Sequence, residues 1–154
     1  MEFIMAKFVY RMQNILNIKY KLEDQAKTEF MIANRILQEE ESKLEELEER
    51  KAFYEKEGRL LLSKNLAMDK IKENRQAILS MNKFIDLQLK RVEEAKHQVE
   101  IKAAKLAELM KERKAQEKLR EKAFENFLQE ENSKESKEID ELVSFTYGKR
   151  QKEE

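Results

Sequence analysis

The sequence predicts an all-α protein: two long helices folded into an antiparallel coiled-coil hairpin, with the second arm longer than the first. Three observations predict it. Ile71, Ile78, Ile85, Val92, Val99 and Leu106 recur every seven residues without a break. The chain around them is 42% charged, so this stripe is a narrow apolar seam on a hydrated helix and must lie against another helix. No proline and two glycines in 154 residues leave almost none of the punctuation that hairpins, sandwiches or phosphate loops require. A seven-residue apolar period also implies a left-handed supercoil.

Arm one is expected over about residues 6–57. Its seam reads Phe8, Met12, Ile15, Lys19, Leu22, Ala26, Phe30, Ala33, Leu37, Glu40, Leu44, Leu47, Lys51, Tyr54, Gly58 and Leu61, with polar lapses at Glu40 and Lys51. The pattern loosens between Glu57 and Asn65, where Gly58 can interrupt a helix and Ser63 or Asn65 can cap a new one. The reversal is therefore placed at about 58–66.

Arm two follows over about 67–130. Beside the Ile71–Leu106 stripe it carries a partner row of Asn74, Met81, Gln88, Ala95, Lys102 and Leu109. Polar residues in half of that row cost stability but restrict register and oligomeric state. The run from Glu130 to Ser136 is expected to fray, and a short terminal helix to resume over about 137–147, ending near Gly148. Folding back at about residue 62 sets Leu47 opposite Ala77 and Ile78, and Phe30 near Ala95. The first arm is used up by about residue 116, so the second overhangs. An arm of ~50 residues at ~1.5 Å rise is about 75 Å long. The whole of 1–154 is one coiled-coil domain in this reading.

Composition excludes several classes of function. With 32 basic and 32 acidic residues, global electrostatics give no reason to expect nucleic acid or an anionic membrane as partner. High charge suits disorder, but disordered chains rarely reach 40% hydrophobic residues and do not set them in heptads. The absence of cysteine removes disulfides, thiolate metal sites and cysteine nucleophiles. No apolar run approaches a membrane span, and the start lacks the basic and apolar regions of a signal peptide, so the chain reads as cytoplasmic.

Candidate chemistry is sparse. His97, the one histidine, has Glu93, Glu94 and Glu100 within a turn, as any residue on so acidic a helix would, and reads as a solvated face residue. Carboxylate runs such as Glu39-Glu40-Glu41 lack the burial that tunes a catalytic acid, and no glycine-rich phosphate loop exists. No catalytic, metal-binding or cofactor-binding residue is expected, and the chain reads as non-enzymatic. The segment Lys111-Glu112-Arg113-Lys114-Ala115-Gln116-Glu117-Lys118-Leu119-Arg120-Glu121-Lys122 is interrupted by three acidic residues and is not followed by leucine heptads, so it is a poor basic-zipper arm. It suits docking into an acidic protein cavity, or a charged overhang that keeps the chain soluble. Phe124, Phe127, Leu128, Leu142, Val143, Phe145 and Tyr147 fall in the overhang, where exposed apolar residues mark a partner surface unless the last helix folds back on them.

The opening Lys7-Phe8-Val9-Tyr10-Arg11-Met12-Gln13, the apolar segment after it and Leu22-Glu23-Asp24-Gln25-Ala26 resemble the start of the flagellar export protein FliJ family. Glu112-Arg113-Lys114-Ala115-Gln116-Glu117-Lys118-Leu119 is similar to that family's basic run, and Ile139-Asp140-Glu141-Leu142 to its ending. The matching pattern begins at Met5, so the resemblance implies a start there, and residues 1–4 would then be a start-site difference. The resemblance implies a stalk-like coiled coil of the flagellar type III export apparatus. Its partners would be the hexameric export ATPase FliI, the cytoplasmic domain of the export gate FlhA, and export chaperones. It would sit in the cytoplasm, at the membrane of the flagellar base only through the gate. Phe8, Met12, Ile15, Lys111, Arg113, Lys114, Lys118 and Arg120 would face the ATPase; Leu47, Tyr54, Met81 and Phe84 match the gate-contact region. A related injectisome stalk and a purely structural dimerising coiled coil are the competing readings.

Overall fold

A computed structural model describes residues 7–64 and 68–153, the side chains of 152 and 153 excepted. Two helices account for nearly all of it: α1 (Gln13–Ser63, 51 residues) and α2 (Met68–Glu153, 86 residues). They pack on each other in antiparallel fashion, and among the described residues there is no strand. Contacts divide the chain into Glu23–Glu108 and a second unit made of Met1–Leu22 with Leu109–Glu154.

In the Glu23–Glu108 unit the seam is a strict alternation of three- and four-residue steps. Every expected position from Ala26 to Leu61 on α1, and from Ile71 to Leu106 on α2, is buried or half-buried. The buried apolar side chains are small or few: Ala26, Ala33, Met81, Val92 and Ala95. Polar rungs interrupt them. Asn74 Nδ2 donates to the Tyr54 carbonyl at 2.9 Å, and Gln88 Nε2 donates to the Glu40 carbonyl at 2.9 Å and to its carboxylate. Among the described residues no buried side-chain polar atom lacks a partner, so these rungs fix register without the penalty of an orphaned group.

The rungs correct the expected register. Tyr54–Asn74 and Glu40–Gln88 are both centred on residue 64, whereas Phe30 opposite Ala95 is centred between 62 and 63. Leu47 therefore stands level with Met81, not with Ala77 and Ile78. The shift arises because α1 does not stop at Gly58. It continues to Ser63, whose hydroxyl donates to the Leu60 carbonyl at 2.9 Å. Gly58 is a seam residue, and a Cβ there would collide with Asn74 Oδ1. Glycine is present for close approach, not for a turn. The reversal falls after Ser63; Asn65 and Leu66, the expected cap and helix start, lie outside the described residues, as do residues 1–6 with the possible start at Met5. Asp69 in the first turn of α2 complements the helix dipole.

At its start α1 departs from the expected seam. Leu16 is 0% exposed and Glu23 3% exposed, while Met12, Ile15 and Leu22 are 38–40% exposed. Carrying the three-four alternation backward from Ala26 gives Glu23, Lys19 and Leu16. Following the apolar residues instead requires two successive four-residue steps across Leu22, Ala26 and Phe30, which rotates the stripe off the seam. Buried Glu23 has Lys27 Nζ 3.6 Å from its carboxylate.

Residues 7–10 are not helical, and the chain enters α1 through a turn in which Gln13 N donates to the Tyr10 carbonyl at 3.1 Å. At the other end α2 runs through Glu130–Ser136 without the expected break. Serine and asparagine cost only about 0.5 kcal/mol each in a helix. No proline or glycine falls between Glu130 and Tyr147, and the i,i+4 spacings Glu130–Lys134, Lys134–Glu138 and Lys137–Glu141 favour continuation.

Candidate partner-binding surfaces

The unit of Met1–Leu22 and Leu109–Glu154 is built around α2. Lys19 Nζ pairs with Glu112 Oε2 at 2.8 Å, and Arg113 Nη1 with Glu117 Oε2 at 3.0 Å. The Tyr20 hydroxyl donates to Glu117 Oε1, which raises the tyrosine pKa above its ordinary value because the bond holds its proton. Phe8, carried on the non-helical start, packs its ring edge-on to Phe124 with centroids 5.1 Å apart and against Phe127 at 5.4 Å. Tyr10 reaches Gln116 at 3.5 Å. Beside Phe8 an open groove of about 510 Å³ is lined by Phe8, Tyr20, Glu117, Arg120, Glu121 and Phe124.

Of the residues expected to face the ATPase, Met12, Ile15, Lys111, Lys114, Lys118 and Arg120 are exposed. Phe8 and Arg113 are half-buried, each engaged within its own chain. Beyond residue 131 every side chain described to residue 151 is exposed, including Ile139 at 59%, Leu142 at 66% and Phe145 at 71%. The last helix does not fold back to cover them.

The residues expected at the gate contact all lie in the Glu23–Glu108 unit and divide between seam and surface. Met81 is buried, Leu47 and Tyr54 are half-buried on the seam, and Phe84 is 50% exposed. Phe84 has exposed apolar neighbours outside the expected contact residues. Leu87 lies one turn on, and the same face leads to a groove of about 390 Å³ floored by Ile32, Ala33, Ile36 and Ala95 and edged by Arg91 and Glu94. The signal was present: Ile32, Ile36, Phe84 and Leu87 each stand one residue before a seam position, forming a second stripe beside the first. At one end of this groove Glu29 lies 3.3 Å from Lys102 Nζ and 3.5 Å from Lys105 Nζ, and the Lys102 hydrogen bond draws its pKa below the usual carboxylate value.

Among the described residues no cluster of three or more His, Cys, Asp or Glu could hold a metal ion, and His97 is exposed. No described helix is long and apolar enough to cross a membrane.

Fold and surface thus define an all-helical coiled-coil protein of two long packed helices with exposed apolar and charged faces. A family model of the flagellar FliJ protein matches residues 8–152, and the chain belongs to that family of coiled-coil components of the flagellar protein export apparatus. In three dimensions it resembles the protein described as a YscO homolog, CT670, from Chlamydia trachomatis. The TM-score is 0.63 at 20% identity, covering 96% of this chain and 100% of that one, a likeness of fold. No curated protein matches the sequence.

Proposed function

We propose that this chain is a non-enzymatic coupling stalk of flagellar type III export. The unit of Met1–Leu22 and Leu109–Glu154 binds the ring of the export ATPase FliI. The Glu23–Glu108 unit contacts the cytoplasmic domain of the gate FlhA, and the chain handles export chaperones. The observation that carries this reading is the family match over residues 8–152. The exposed Met12, Ile15, Lys111, Lys114, Lys118 and Arg120 supply an apolar and basic docking surface for the ATPase, and Phe84 with Leu87 supplies the gate contact. The nucleotide chemistry belongs to the ring. The chain's contribution is differential affinity for the states of each partner, which is the one way a binding protein shifts their equilibria. Attachment to the cytoplasmic face of the membrane at the flagellar base, and through it motility and chemotaxis, follows from the gate contact.

The test is ATP turnover by the matching flagellar export ATPase, titrated with the purified chain while hexamer formation is followed. Saturable activation near one chain per ring, with more hexamer, is the expected result. A helical chain that neither binds nor activates overturns the reading. An injectisome stalk is the second reading, favoured by the likeness of fold to the YscO homolog. Activation of an injectisome ATPase, with none of the flagellar enzyme, would select it.

A further inference from the structure

The stretch of residues 7–12 runs beside α2 as a strap, and what it covers is half of a longer face. An α-helix completes five turns in ~18 residues. Leu142 stands 18 residues after Phe124, Phe145 stands 18 after Phe127, and Ile139 lies one turn before Leu142. The two aromatic residues that hold Phe8 and the three exposed apolar residues of the tail therefore share one side of an unbroken helix. The near half is partly covered by the chain's own aromatic ring, with Phe127 half-buried and Phe124 still 43% exposed, and the far half is bare.

The cover is held weakly. Among the described residues it rests on two ring contacts, a Tyr10–Gln116 hydrogen bond at the 3.5 Å limit, and one turn of backbone hydrogen bonding before the helix proper. Each ring pair shifts an equilibrium by roughly a few-fold to tenfold. The groove along Phe8 and Phe124 gives an incoming chain access to the edge of the contact.

We propose that Phe8 is a displaceable cover on α2. In the free chain it occupies the Phe124–Phe127 half of the face, and an apolar segment of the ATPase ring replaces it when the whole face from Phe124 to Phe145 docks. The identity of the displacing partner rests on the stalk reading above; the existence of the cover does not. The strap thereby limits exposed apolar surface until the partner is present, and its release sets the affinity of docking.

Two changes that move the equilibrium in opposite directions test this on the full chain. Phe8→Ala loosens the cover. Tyr10→Cys with Gln116→Cys, joined by a reductant-cleavable thiol crosslinker, locks it; the chain contains no cysteine, so the joint is site-specific. With helicity checked by circular dichroism, Phe8→Ala should lower the half-activating concentration for the export ATPase about fivefold. The locked chain should raise it about tenfold, and cleavage of the crosslinker should reverse that. A merely structural role for Phe8 predicts weaker activation by Phe8→Ala, and locked and cleaved chains that activate alike overturn the proposal. If no form binds or activates the ATPase, the stalk reading fails, and the strap is judged by a hydrophobic dye on the chain alone. More dye bound by the Phe8→Ala and cleaved chains than by the locked one supports the cover, and equal binding overturns it.

Discussion

Gly58 illustrates how a seam residue can be misread when its type is considered without its neighbour. A glycine inside an exposed helix costs about 1 kcal/mol relative to alanine, so Gly→Ala ordinarily stabilises. Here the added methyl meets Asn74 Oδ1, and Asn74 is held in place by its bond to the Tyr54 carbonyl and is 9% exposed. Gly58→Ala should therefore destabilise the protein by roughly 1 kcal/mol, through loss of that bond. In an Asn74→Ala background the obstruction is gone, and the same substitution should raise the melting temperature. Thermal unfolding of the four proteins of this cycle measures the coupling, and additive effects would show that Gly58 and Asn74 do not constrain one another.

At the scale of the helices, the seam rather than helix propensity decides what is buried. Val92 is 5% exposed, and Leu89, three residues earlier on the same helix, is 47% exposed. Placing a charge at Val92 removes an apolar contact and buries an unpaired carboxylate, a loss of several kcal/mol in a core this thin. Val92→Asp should abolish cooperative unfolding near room temperature, and Leu89→Asp should leave the circular dichroism melt within a few degrees of the parent. The same seam explains what was legible in the sequence. Where apolar residues occupy strict heptad positions, from Ala26 to Leu61 and from Ile71 to Leu106, sequence and structure agree position by position. They part where the apolar residues and the heptad disagree. At Leu22 the sequence points to leucine and the packing takes Glu23, because geometric continuity of the interface outweighs the hydrophobicity of one side chain. Helix ends were less legible still. Gly58 and the Asn132-Ser133 pair look like breaks but sit inside continuous hydrogen-bonded helix, where neighbouring turns outweigh a local cost of about 1 kcal/mol. The strap could not be read from periodicity at all, since Phe8 reaches Phe124 and Phe127 from outside any helix.

For the molecule as a whole, balanced net charge conceals a local asymmetry that bears on the proposed docking to the ATPase. Lys111, Lys114 and Lys118 are spaced by three and four residues along α2, and all three are exposed. Arg113, in contrast, is drawn to Glu117 at 3.0 Å and belongs to the internal pairing of its unit. This separates exposed cations that can meet an acidic surface from one engaged along its own helix. Surface ion pairs contribute about 0.5 kcal/mol each, so three of them sum to a factor of about ten in affinity. Reversing Lys111, Lys114 and Lys118 to glutamate should raise the concentration that half-activates the export ATPase by at least that factor, while helicity and melting temperature stay close to the parent. The effect should shrink as ionic strength rises, because exposed charges are screened within about 10 Å at 0.1 M salt. A triple variant that activates like the parent at low salt would remove this face from the docking surface and leave the apolar residues Met12, Ile15 and Phe124 to carry it.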